Sequence, residues 1–324
     1  MKKEILFFLL LLPLASQGEA FQYQKNSVFV FSDLLFWRAR EGSADNWAQN
    51  IDLGFVNKNI DIYGAPFKWN ASYRVGIGYK EPEKQWDAVL YYTNFQTSAS
   101  SQKNGQIYSA FLGNFFVGNT DGISDNGAYY QSGNINWRFY FNNLDFELGK
   151  TFAINKIVNL RPFAGLKAAF INQNIYTNWQ NPINVSNFTQ GEETLKNDFW
   201  GIGPSIGLNT TWPIYKSLKS SFNLIGNFSG ALLLGNWNFK DTYTNNAPFY
   251  ITTNVSPVHG AAPMVRGLLG IEWTSEFSKA NLSIHLGYEA QVWANQMQYY
   301  SFNMGRLNNL MSIQGAVFGF CLNL

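Results

Sequence analysis

Trp69-Asn70-Ala71-Ser72-Tyr73-Arg74-Val75-Gly76-Ile77-Gly78-Tyr79-Lys80 alternates with a period of two. Trp69, Ala71, Tyr73, Val75, Ile77 and Tyr79 fall on one face, and Asn70, Ser72, Arg74, Gly76, Gly78 and Lys80 on the other. Successive side chains of a strand point to opposite sides, so this stretch reads as a strand with one apolar and one polar face. The pattern recurs in Trp86–Thr93, Asn134–Asn142, Leu160–Gln173 and Leu282–Val292. In Asn134–Asn142 the apolar set is Ile135, Trp137, Phe139 and Phe141, which is read as the outer face and puts Arg138 inside. After Asn142 the apolar phase slips to Leu144, Phe146 and Leu148, and a β-bulge would absorb the change. Asp33 and Arg38 have opposite parity, so the facing of the first strand stays open.

Working outward, ten strands are placed near 27–39, 68–80, 86–95, 133–150, 158–176, 198–212, 219–239, 265–277, 281–297 and 311–324. The gaps between them alternate long and short. Long ones are 40–67, 96–132, 177–197, 240–264 and 298–310; short ones are 81–85, 151–157, 213–218 and 278–280. Membrane barrels sort their connections in this way, with short periplasmic turns and long extracellular loops, whereas a β-sandwich has no reason to. The expected fold is all-β: an antiparallel transmembrane β-barrel of ten strands, within a range of about eight to fourteen. Tyr79, Trp86 and Trp212 lie at short turns, and Trp69, Trp137, Trp179, Trp200 and Trp293 near long loops, where girdles at the two headgroup levels would place them.

Composition agrees. The chain of 324 residues is 46% apolar and 17% aromatic but only 14% charged, short of the roughly 25% of an average soluble domain. Its 28 Phe, 17 Tyr and 11 Trp exclude a disordered chain. Beyond residue 20 no run nears the roughly 18 apolar residues of a spanning helix. A net charge of +2 with scattered basic residues leaves no footprint for nucleic acid. The single Cys321 excludes a disulfide framework or a cysteine metal site, and His259 and His285 are too far apart in sequence for a histidine cluster. Neither a cofactor nor a metal is expected.

Residues 1–20 read as a cleaved secretory signal. Lys2 and Lys3 form its basic end, Ile5–Leu14 its short apolar run, and Gly18-Glu19-Ala20 its cleavage site, leaving 21–324 as one barrel domain. At the other end, Gly319-Phe320-Cys321-Leu322-Asn323-Leu324 resembles the terminal strand by which outer-membrane barrels engage their assembly machinery, although such strands usually end on an aromatic residue.

Several blocks resemble the Legionella-type major outer membrane protein family. They are Asp33–Trp37, Tyr73–Tyr79, Asn143–Gly149, Leu160–Leu166, Asn197–Pro204 and Leu286–Trp293, in the family's order and across most of the mature chain. The resemblance implies a pore-forming barrel in the bacterial outer membrane and carries over no catalytic residues. Chlamydial major porins, with a similar name, are rich in cysteine, unlike this chain.

The charges assigned to the inner face are Arg74, Asp87, Arg138, Lys167, Arg266, Glu272 and Glu289, with His285 among them. They are the candidate pore-lining residues. Either they polarise a water-filled channel or they pair across the lumen and close it. Ten strands give a backbone diameter of about 20 Å, so any pore is narrow. The expected function is a non-enzymatic porin passing small hydrophilic solutes and ions, with loops 40–67 and 96–132 as constrictions. The alternative is an occluded surface barrel acting through its long loops, in a structural or adhesive role. A barrel hydrolase would need a rim cluster around His285; Glu289 is about 13 Å along the strand from it, too far for acid–base work. Gly201-Ile202-Gly203-Pro204-Ser205-Ile206-Gly207 opens no helix and lacks nucleotide-loop spacing, so its glycines are read as strand bends. Expected partners are outer-membrane lipid, the small solutes and, in a homo-oligomer, further copies of the chain.

Overall fold

The computed structural model describes residues 27–53, 58–81, 83–109, 129–154, 158–183, 188–247, 249–277, 280–301 and 305–324. The expected signal peptide lies outside them. Ten long antiparallel strands form the wall: β1 (Ser27–Glu41), β4 (Asn70–Glu81), β5 (Trp86–Ser109), β6 (Tyr129–Lys150), β8 (Asn159–Pro182), β9 (Gln190–Lys216), β10 (Ser220–Asn245), β11 (Phe249–Glu276), β12 (Asn281–Ser301) and β13 (Gly305–Asn323). Each pairs with the next, and β1 pairs with β13 from Phe29↔Asn323 to Glu41↔Met311, so the sheet closes into a ring. Three short strands lie outside the ring. β2 (Ala48–Leu53) and β3 (Lys58–Tyr63) form a hairpin, and β7 (Phe152–Ala153) pairs with β8. Closure satisfies backbone N–H and C=O groups without water, which a chain crossing a bilayer requires. No helix among the described residues is long and apolar enough to cross a membrane.

All ten sequence-placed strands are present, but most continue well beyond their expected extracellular ends. β5 runs to Ser109, where 95 was expected, and β11 begins at Phe249, where 265 was expected. His259 therefore sits on β11 opposite Asn236, and not in a loop. The reason is a reversal of polarity along each strand. In the lower half of β6, Leu144, Phe146 and Leu148 face out, exposed, while Asn143, Asp145 and Glu147 are buried inside. In the upper half Trp137, Phe139 and Phe141 are inside and Asn136 and Arg138 outside. From Gly133 to Gly149 the odd residues point inward, and the ladders with β5 and β8 run through Asn142 and Asn143 without a shift. The expected bulge is absent: the surroundings change from lipid to water while the backbone phase stays constant.

The same reversal corrects Arg138, which was expected inside and lies exposed on the outer wall. It also corrects three of the girdle tryptophans. Trp69, Trp86 and Trp200 face outward, but Trp137, Trp179 and Trp293 are fully buried within the barrel. On β1 the open question resolves with Asp33, Leu35 and Trp37 inside and Leu34 and Phe36 outside.

The segment between β1 and β4 forms a strap. Its short 3₁₀ turn (Gly42–Asn46) is capped by Glu41, whose carboxylate accepts the Ser43 N–H at 2.7 Å. Above Asn94 the edge of β5 lies beyond the reach of β4, and the strap covers part of it through the Phe67↔Ala99 bridge and the pairing of β2 with β5 at Ala48↔Ser109.

Candidate functional site: a lumen filled at two levels

In the lower, lipid-encircled half the inner face carries charge. Arg74 Nη1 donates to Asp33 Oδ2 at 3.1 Å, Nη2 to Glu289 Oε1 at 2.9 Å and Nε to Thr93 Oγ1 at 3.1 Å. Arg266 donates to Glu289 Oε2 at 3.0 Å and to the Tyr91 hydroxyl at 3.1 Å, and that hydroxyl donates to Glu147 Oε1 at 2.8 Å. Arg161 joins Glu147 at 3.0 Å to Asp87 at 2.9 Å, and Lys167 pairs with Asp145. Arg74, Asp33, Glu289, Arg266, Tyr91, Glu147, Arg161 and Asp87 thus form one connected network reaching across the lumen from seven of the ten strands. Glu289 sits at its centre, fully buried and held by two arginines and the Gln291 amide. Charge-assisted hydrogen bonds of this kind offset the cost of taking the ions out of water.

Beneath the network a cavity of about 500 Å³ is lined by Lys80, Asp87, Arg161, Glu272, His285 and Cys321, among others. His285 Nε2 lies 3.4 Å from Asp33 Oδ1. The two meet because β13 places Gly319 between them in register with both, and a Cβ there would collide with the imidazole and with Asp33 Oδ1. Asp87 and His285 are therefore in the lumen, as are Arg74, Lys167, Arg266, Glu272 and Glu289. Asp33, Tyr91, Asp145, Glu147 and Arg161 complete the set and were not among the sequence candidates. Parity alone identifies three of them: Asp145 and Glu147 alternate with Leu144, Phe146 and Leu148, and Arg161 shares the odd parity of Lys167. Tyr91 gave no such signal, because an aromatic residue on a polar face reads as an exception.

The upper half is apolar. Trp37, Trp47, Trp137, Trp179, Trp237 and Trp293 are fully buried there together with Phe95, Phe139, Phe141, Tyr130 and Tyr243. Two of the seals come from the strap: Trp47 lies 5.5 Å from Trp179 of β8, and Phe67 lies 5.6 Å from Trp137 and 6.1 Å from Phe139 of β6. Arg74 spans the two levels, with its guanidinium 5.6 Å from the ring centroid of Trp37.

Within this apolar plug, seven residues above the outward-facing Trp200 and Leu234, Glu193 and Asp241 are buried side by side. Thr177 Oγ1 donates to Glu193 Oε2 at 3.0 Å. Burial raises Glu193 to about 8, and burial together with the Glu193 charge holds Asp241 well above the usual carboxylate range. Glu41, buried under the strap, is likewise pushed up to about 7 by desolvation.

A closed antiparallel barrel of ten strands, with a lipid-facing apolar band and polar inner wall, defines an outer-membrane β-barrel. The model of the Legionella pneumophila major outer membrane protein precursor matches residues 24–323, and the chain belongs to that family. No curated protein sequence matches it. Among solved structures it is similar to the outer membrane protease OmpT from Escherichia coli, at 10% identity over 94% of this chain and 98% of that one, with a TM-score of 0.42. It is also similar to a FadL homologue from Pseudomonas aeruginosa, at 8% identity over 92% and 90%, with a TM-score of 0.29.

Proposed function

We propose that this protein is a non-enzymatic outer-membrane barrel that is closed to free diffusion in the conformation described, and that it works through its extracellular surface in a structural or adhesive role. The observation that supports this reading is the filling of the lumen at two successive levels. A solute entering from outside meets the buried aromatic plug and then the Arg74–Glu289–Arg266 network.

The second reading, a porin for small hydrophilic solutes and ions, is favoured by the polar cavity of about 500 Å³ below the network, which carries charges of both signs. In this reading the strap and the network move aside together to connect that cavity with the exterior. Single-channel recording of the refolded barrel in a planar lipid bilayer separates the two. A folded, heat-modifiable protein that passes no current supports the closed reading. Discrete, reproducible steps overturn it and establish the pore, whose ion selectivity then responds to Arg74 and leaves Arg138, on the outer wall, without effect.

A further inference from the structure

Arg138, displaced from the lumen to the outer wall, belongs to a row. On β6 it is in register with Ser98 of β5 and Asn174 of β8; Asn174 is in register with Lys196 of β9, and Lys196 with Lys240 of β10. Arg138, Lys196 and Lys240 are all exposed, and Lys68, exposed and bonded through its backbone N–H to the Ser98 carbonyl at 3.1 Å, extends the row at its other end. Four strand spacings of about 4.8 Å give a band roughly 19 Å long from Ser98 to Lys240. The row contains no carboxylate, and among the described residues none of its four cations forms an ion pair. The next level of outward residues above it, Ser100, Asn136, Tyr176, Thr194 and Thr242, is uncharged. In the level below, the one acid is Asp198, which accepts a hydrogen bond from the Asn172 amide at 2.7 Å.

Like charges directly opposite on neighbouring strands repel, so Lys196 against Lys240 disfavours the sheet unless an anion lies over them. The height of the row points to that anion. Lys196 is four residues above Trp200 and Asn174 four above Phe170, both exposed at the upper edge of the apolar band. With a strand tilt of about 40°, that puts the row roughly 10 Å above the hydrocarbon, facing sideways over the neighbouring lipids. We infer that the Arg138–Lys196–Lys240 row, with Lys68 at its flank, is a binding band for the phosphate-bearing sugars of outer-leaflet lipopolysaccharide. Polybasic surfaces at a headgroup level bind anionic lipids through the same electrostatics, and Asn174 and Ser98 supply neutral hydrogen-bonding groups between the cations.

The test uses the full barrel in detergent, titrated with core-bearing lipopolysaccharide and with the same lipid after removal of its phosphates. Binding is expected for the intact lipid, weakened by salt and by dephosphorylation. A triple variant R138S/K196S/K240S is expected to lose roughly tenfold or more in affinity. The charge-conserving R138K/K196R/K240R is expected to retain binding, and Asp198→Asn to tighten it. Heat-modifiable mobility verifies that each variant is folded, and conductance is read in parallel because the band lies outside the lumen. Equal binding by the serine variant, or by wild type to the dephosphorylated lipid, overturns the inference. So does tighter binding of a soluble anionic polymer than of the lipid, which assigns the band to a macromolecular partner.

Discussion

At the residue scale the barrel is organised by a few side chains whose partners come from distant parts of the chain. Glu289 binds Arg74, 215 residues away, and Arg266. Replacing Glu289 by Gln leaves two buried guanidinium groups around a neutral amide, and the expected loss is about 3–5 kcal/mol, read as a lower urea midpoint for unfolding in lipid. Gly319→Ala has a different signature. Its methyl group must displace both the His285 ring and Asp33 Oδ1, so the His285 NMR resonance shifts while the β-sheet signal in circular dichroism persists. Glu193 gives a pH dependence. Its folded carboxyl titrates near 8 against an ordinary value of 4.5, so between those values the folded state holds a proton that the unfolded state releases. Stability of the extracellular half is therefore greatest below about pH 4.5 and declines as pH rises to about 8. Limited proteolysis across that window should show the decline, and Glu193→Gln should make it shallower, the remainder belonging to Asp241 and Glu41, whose carboxyls burial also raises.

At the element scale the strands do two jobs with one phase. In β6 the inward positions carry Asn143, Asp145 and Glu147 below and Phe141, Phe139 and Trp137 above, because the outside changes from lipid to water. The strap between β1 and β4 depends on this upper apolar interior. Phe67→Ala removes a ring that packs on Trp137 and Phe139, and is expected to cost about 3–5 kcal/mol of strap docking. Because β2 and β3 stand outside the ten-strand ring, the barrel itself should still form. Faster protease cleavage of the strap with unchanged heat-modifiable mobility is the expected outcome; loss of the folded band would show that the strap supports closure.

At the scale of the whole molecule, closure and filling are distinct properties. Pairing of β1 with β13 makes the barrel and satisfies its backbone in the membrane. The charged network and the aromatic plug then decide whether it conducts. If the network is the inner gate, Arg74→Ala combined with Glu289→Ala alone leaves the plug in place and adds no current. Opening requires Trp47 and Phe67 to leave as well, since both levels lie in series. Conductance recorded for the double variant and for a quadruple variant that adds Trp47→Ala and Phe67→Ala tests that order.

Alternation in Trp69–Lys80 and its counterparts, together with the sorted gap lengths, was enough for the ten strands, their antiparallel order and the inward placement of Arg74, Asp87, Lys167, Arg266 and Glu289. These are consequences of local periodicity against a lipid exterior, and periodicity is written in the chain. Arg138, Trp137, Trp179 and Trp293 could not be placed that way, because above the bilayer the polarity of the two faces exchanges while the period stays two. The pairing of Asp33 with His285, the convergence of Arg74 and Arg266 on Glu289, and the cationic row from Arg138 to Lys240 depend on register between strands. Register is set by closure of the whole sheet, a long-range property that no single segment encodes. The tertiary structure alone therefore decided that the lumen is filled at two levels and that Arg138, Lys196 and Lys240 line up in one exposed row on the outer wall.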